Sequence, residues 1–186
     1  FDNRERYLDV PGVGWGSYAD LVYETNDLLP GNYRGGLWQG QWQQTFDLPR
    51  SNTLTLALAG GAADRGAEPF VMGALDGEEM LVFGRDELSL PGYPAGSRIG
   101  HRYQRLELSW AGRLARLERN LGLNPLGFGD LSGRLYAVQG NAWFRDQTPD
   151  ALTAVGAEAQ LEVVLGYHLL VPVRLGVAHG FEEGIG

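Results

Sequence analysis

The chain has 186 residues, with 23 acidic and 15 basic side chains, a formal net charge of −8, 28 Gly and no Cys. The missing Cys removes disulfides, thiolate metal sites and Cys nucleophiles at once. Every basic residue is Arg, and the acidic balance excludes a nucleic-acid role built on phosphate neutralisation.

No run approaches the ~18 apolar residues of a membrane-spanning helix. The longest candidate, Val163 to Val173, is interrupted by Gly166, His168 and Pro172. The chain starts at Phe1 and stops at Gly186 just after an apparent strand. It reads as a piece of a longer protein.

Phe1 to Pro11 is charged and reads as the end of an earlier strand. From Val13 to Thr25 the odd positions Val13, Trp15, Ala19, Leu21 and Tyr23 form one apolar face, with Asp20 and Glu24 on the other. A period of two marks a strand with unlike faces. Asn26 to Arg34 carries Asn-Asp and Pro-Gly and is a loop. Gly36 to Asp47 alternates again, Trp38, Trp42 and Phe46 against Gln39, Gln41, Gln43 and Thr45. A glutamine row suits the wall of a water-filled lumen or the solvated outer face of a sandwich. After a turn at Pro49 to Asn52, Leu54, Leu56 and Leu58 alternate with Thr53, Thr55 and Ala57.

Gly60 to Gly100 is a long loop, and loops of that length in compact domains are usually functional. Pro91, Gly92, Pro94, Gly96 and Gly100 exclude a helix or a central strand over its last part. The strand from His101 to Gly112 follows, with Leu106, Leu108 and Trp110 opposite Arg105, Glu107 and Ser109. Leu114, Leu117 and Leu121 have near-helical spacing and predict a brief amphipathic turn within a connection over residues 113–128. Leu131 to Phe144 is the next strand, and Asp146 to Thr153 a polar loop. The closing hairpin sets Ala157, Ala159, Leu161, Val163, Leu165 and Tyr167 against Glu158, Gln160 and Glu162. A tight turn near Leu169 leads to Val171, Val173, Leu175 and Val177, opposite Arg174 and Gly176. About seven strands emerge, with alternately short and long connections, the asymmetry of an outer-membrane barrel.

Pro91-Gly92-Tyr93-Pro94-x-Gly96, followed by the strand Leu106-Glu107-Leu108-Ser109-Trp110, resembles the bacterial surface-antigen superfamily. This is the family of barrel-assembly and two-partner-secretion outer-membrane barrels. Pro69-Phe70-x-x-Gly73 resembles the segment that precedes the Gly-Tyr turn there, and Leu165-Gly166-Tyr167 through Gly180 resembles the penultimate hairpin. The resemblance spans most of the chain and is strongest from Pro69 to Gly180. It implies an all-β fold, an antiparallel transmembrane β-barrel, of which residues 1–186 are the C-terminal half and which has about 16 strands when complete.

The resemblance further implies that the long loop folds back into the lumen. Its docking motif is Pro91, Gly92 and Tyr93 on the loop and Tyr136, Val138 and Gly140 on the wall. Family members place an Arg at the position of Pro91 and an Asp at that of Val138. Both charges are absent here, so the tip is expected to be held by Tyr93, glycine backbone, and Gln139 or Arg98. The odd positions of the closing hairpin are expected to face lipid. Glu158 and Glu162 are expected to face the lumen, balanced by Arg174. The implied localisation is the bacterial outer membrane. The implied partners are its lipid and lipopolysaccharide, a polypeptide substrate, and periplasmic or other upstream domains. The implied role is protein insertion or translocation, or membrane anchoring of an upstream domain.

No Gly-x-Ser-x-Gly elbow, P-loop or His-Glu-x-x-His occurs. His101, His168 and His179 are far apart in sequence and read as surface residues, not as metal ligands. Glu158 and Glu162 share a strand face but stand about 13 Å apart, too far to share a proton. No catalytic residue, metal or cofactor is assigned. The second reading is a soluble β-sandwich or a lipocalin-like small-molecule binding module.

Overall fold

The computed structural model describes residues 1–3, 15–25, 32, 34–73, 88–120, 126–146, 150–166 and 169–181. Among them there is no helix. Nine strands form: β1 (Gly16–Thr25), β2 (Gly36–Leu48), β3 (Asn52–Ala63), β4 (Phe70–Met72), β5 (Arg98–Gly100), β6 (Arg102–Asn120), β7 (Leu126–Trp143), β8 (Leu152–Leu165) and β9 (Leu169–Gly180). Seven make one antiparallel meander in the order β1-β2-β3-β6-β7-β8-β9, and β4 pairs with β5 apart from it. The sheet is open, with no pairing between β1 and β9. Phe1 to Asn3 line the free side of β1 through an Asp2–Tyr18 bridge, as an earlier strand end would. The all-β antiparallel expectation holds; a closed barrel is not formed.

The period of two places the side chains. One register row on one face runs Phe46, Leu54, Trp110, Leu135, Ala157, Val177. One row on the other runs Tyr18, Gln43, Ala57, Glu107, Val138, Ala154, Gly180. We call the second face inner, because Phe70 and Met72 of β4 and residues 88–93 of the connection pack on it. Successive connections alternate between the two ends of the sheet. Those at one end are long (residues 26–35, 64–101 and 144–151), and those at the other are short (49–51, 121–125 and 166–168).

Two expectations change. The long connection begins at Asp64, because β3 continues through Gly60 and Gly61. Leu114 and Leu117 lie on strand β6, not in a helical turn. Two bulges, between Arg113 and Ala115 and between Arg116 and Arg119, each insert one extra residue. A strand with extra residues loses strict alternation and mimics a spacing of three. β8 ends at Leu165 and β9 begins at Leu169, which pair directly, as a turn near Leu169 requires. Val13, Leu121, Tyr167 and His168 fall outside the described residues.

Gly100 approaches the backbone of β7 closely. A Cβ built there would lie 2.2 Å from the backbone of Trp143. A Cβ on Gly40 meets nothing nearer than 3.4 Å. Gly100→Ala is therefore expected to cost about 1–3 kcal/mol as overpacking, and Gly40→Ala to be near neutral. Denaturant titration of the two refolded variants reads the difference. Equal midpoints would contradict the close crossing.

Candidate functional site

The site is the inner face where β4, β5 and residues 88–93 dock. β4 and β5 form a small ladder, Phe70 opposite Gly100 and Met72 opposite Arg98. Their apolar side chains build one cluster with the sheet: Leu37, Phe70, Met72, Leu88, Tyr103 and Ala142. The Phe70 and Tyr103 rings lie 4.6 Å apart, a favourable tilted pair. Leu90 returns to Gly73 through an N–H to carbonyl hydrogen bond of 2.7 Å, so the far arm of the connection is tied to the near one.

A second cluster holds the tip: Leu90 and Tyr93 against Tyr136, Val138, Leu152 and Ala154. The N–H of Tyr93 donates to the carbonyl of Leu90 at 3.4 Å, closing a four-residue turn with Pro91 and Gly92 at its centre. Gly92 has φ +94°, as the third position of a type II turn requires, and Pro presets the second. The Tyr93 hydroxyl donates to the carbonyl of Thr153 at 2.8 Å, across 60 residues of chain. Its ring lies on Gly180 of β9, where an added Cβ would meet it at 2.6 Å. Gly140 is a matching recess under Met72 and Leu90. The tip thus touches β7, β8 and β9 together.

Beside this apolar contact lies a ladder of charge. Glu107 pairs with both Arg105 and Arg134, and Arg134 reaches Glu158 at 3.5 Å. Two positive and two negative groups cancel. The Glu107 side chain is buried, so without both arginines it would be a costly uncompensated charge. Arg134 also lies 4.9 Å from the ring centroid of Tyr136. Arg105 leaves its Nε free for the loop and donates to the carbonyl of Ser89 at 2.9 Å. Farther along, Arg113 pairs with Asp130 at 3.2 Å.

All six residues expected in the docking motif converge here: Pro91, Gly92 and Tyr93 at the tip, and Tyr136, Val138 and Gly140 on the inner face of β7. Val138, at 1 % exposure, is in the apolar cluster. Gln139 does not hold the tip; it points to the opposite face, opposite Leu106 and Thr153. Arg98 lies on β5, where its described hydrogen bond goes to the carbonyl of its neighbour Ser97. Glu158 and Glu162 share the inner face as expected, but Glu158 is balanced by Arg134, not by Arg174. The reason is register: Arg134 stands directly opposite Glu158, whereas Gly176 occupies the β9 position. Arg174 stands opposite Gln160 and donates to its Oε1 at 3.1 Å, diagonal to Glu162.

The residues that sequence reasoning missed are Arg105, Glu107 and Arg134. Their signal was present, because charges at the polar positions of β6 and β7 must face one another once the strands pair. Among the described residues no three of His, Asp and Glu converge as a metal site would require.

Comparison with protein-family models, with curated proteins and with solved structures returns no match to this chain.

The docking contact makes two predictions. Tyr93→Phe keeps the ring and loses the bond to Thr153, at about 0.5–1.5 kcal/mol. Val138→Asp sets a carboxylate among Leu90, Tyr93 and Leu152 and is expected to cost about 3 kcal/mol or more as an unpaired buried charge. Adding Pro91→Arg to Val138→Asp is expected to recover part of that loss. A double-mutant cycle read by denaturant titration measures the coupling, and additivity would show that positions 91 and 138 do not face each other.

Proposed function

We propose that this chain is the C-terminal half of an outer-membrane β-barrel of the surface-antigen type. In this reading the docked connection occupies the lumen, and lipid with lipopolysaccharide covers the outer face. The protein inserts or translocates polypeptide at the bacterial outer membrane, or anchors an upstream domain there. The observation that carries the reading is an inverted distribution of side chains. Glu107, Ser109, Ser132, Thr45 and Thr53 are buried on the inner face, whereas Leu21, Leu58, Leu106, Leu108, Leu135, Leu175 and Val177 are 40–75 % exposed on the outer one.

The magnitude makes water an unsuitable neighbour. Burying one such side chain is worth about 1.5–3 kcal/mol. With roughly half of each exposed, seven of them forfeit on the order of 5–10 kcal/mol, comparable with the whole stability of an ordinary domain. Hydrocarbon removes that loss. The docked tip supports the narrower family reading, because it places Tyr93 where the resemblance puts it. Pro91 and Val138 stand where the family has an ion pair, and both are apolar, so neither leaves an unpaired charge behind.

Arginine substitution separates lipid from water. Leu58→Arg on the outer face is expected to cost about 2–4 kcal/mol in phosphatidylcholine vesicles if it lies near the bilayer midplane. Gln41→Arg on the inner face, opposite Asp20, is expected to be near neutral. Equal, small costs would point to a soluble module. For the activity, vesicles containing the full-length protein are expected to speed the membrane insertion of an unfolded outer-membrane barrel. An unchanged insertion rate leaves anchoring as the role.

A further inference from the structure

The outer face carries an isolated charge. From Arg102 to Gly112 on β6, from Leu131 to Trp143 on β7, and throughout β1, β2, β3, β8 and β9, the outer rows hold one formally charged side chain, Arg102. It is exposed, and among the described residues it pairs with no carboxylate. Two positions along the same face of β6 stands Gln104, also exposed, and directly opposite Gln104 on β7 stands Asn141. Asn141 is 1 % exposed, and its Nδ2 has no hydrogen-bond partner among the described residues. A buried donor left unpaired is costly, and one in a folded protein calls for an acceptor. Three donors thus stand together, about 7 Å apart along β6 and about 5 Å apart across the strand pair.

The row of Asn141 and Gln104 continues across the sheet as Gly60, Gly40 and Leu21. The two glycines stand directly opposite each other. Neither has a positive φ, and neither sits at a bulge. An added Cβ would meet nothing nearer than 3.4 Å at Gly40 and 3.3 Å at Gly60, so crowding does not account for the first glycine and barely for the second. Glycine inside a strand weakens it and marks a place where a ligand comes close. A recess of about 310 Å³ opens over this pair, with Trp42 and Leu58 in its wall. Trp38 and Ala62 flank its other side, and Trp38 is braced by Tyr23, the ring centroids 4.6 Å apart. The glycine row thus leads from an aromatic-walled hollow to the three donors.

We propose that this is a binding site for a single acyl lipid with an anionic phosphate head group. The phosphate lies on Arg102, Gln104 and Asn141, and one acyl chain runs over Gly60 and Gly40 between Trp38 and Trp42. The arginine fork matches phosphate oxygens, and its charge strengthens each hydrogen bond. The outer rows named above hold no carboxylate to receive a cationic head group, so charge favours an anionic lipid over a zwitterionic one. Free phosphate would satisfy the donors but leave the apolar hollow empty. Mere contact with a bilayer needs neither a lone arginine, nor an unpaired buried amide, nor a glycine pair. The inference rests on the reading that lipid covers this face, and it adds which lipid is held there and by which residues.

Full-length protein is reconstituted in phosphatidylcholine vesicles, and flotation with the vesicles reads insertion for each variant. Tryptophan quenching is then titrated with brominated phosphatidylglycerol and, separately, with brominated phosphatidylcholine. Half-maximal quenching is expected at a lower mole fraction of phosphatidylglycerol. Arg102→Gln is expected to raise that mole fraction about tenfold, as loss of one charge-assisted contact does. Gly40→Leu, which fills the recess, is expected to raise it as well. Arg50→Gln, in the turn at the other end of the sheet, is expected to leave it unchanged. Equal titrations with the two lipids, or a preference that survives Arg102→Gln or Gly40→Leu, overturn the site and leave the membrane reading standing. Loss of the preference on adding inorganic phosphate overturns the lipid as the occupant. Protein that neither floats with the vesicles nor is quenched by either lipid overturns both.

Discussion

The strict alternation of side chains across paired strands is the constraint on which the rest depends. A slip of one residue in β6 would put Arg105 and Glu107 on the face of Leu58 and Leu135 and turn Leu106 and Leu108 inward. The register prevents this at two places on the inner face. Glu107 reaches Arg134 only where β6 and β7 are aligned as observed. Tyr93 finds Thr153 and Gly180 only where β8 and β9 follow in step. The charged ladder is neutral, so its worth lies less in net stability than in the cost of misalignment. Separating a buried pair leaves a charge without solvent or partner.

Loop and wall are joined by chemistry of two kinds. The apolar part is shape: Gly140 and Gly180 leave room that Met72, Leu90 and Tyr93 fill. The polar part is Arg105, which donates Nη2 to Glu107 and Nε to the Ser89 carbonyl. An arginine supplied by the wall thereby reaches backbone on the loop. The resemblance leads one to expect the reverse, an arginine on the loop reaching a carboxylate on the wall. The two arrangements need opposite residues at positions 91 and 138, and Pro91 and Val138 fit the one observed. Pro91 also narrows the unfolded ensemble of the tip, lowering the entropy lost on docking.

Much of this was legible in the sequence, for a physical reason. Strands with one polar and one apolar face reveal themselves by a period of two, and so β1, β2, β3, the first part of β6, and β8 with β9 could be read directly. The inward orientation of Val138 followed from its spacing to Tyr136 and Gly140. The second half of β6 was not legible, because two bulges break the alternation and Leu114 and Leu117 then imitate a helix. The pairing of Glu158 was not legible either. Facing is a property of one strand, but partnership depends on register between two, and Arg174 and Arg134 were both on polar faces. Gln139 was misread as a tip contact although its odd position already placed it on the face of Leu135 and Ala137.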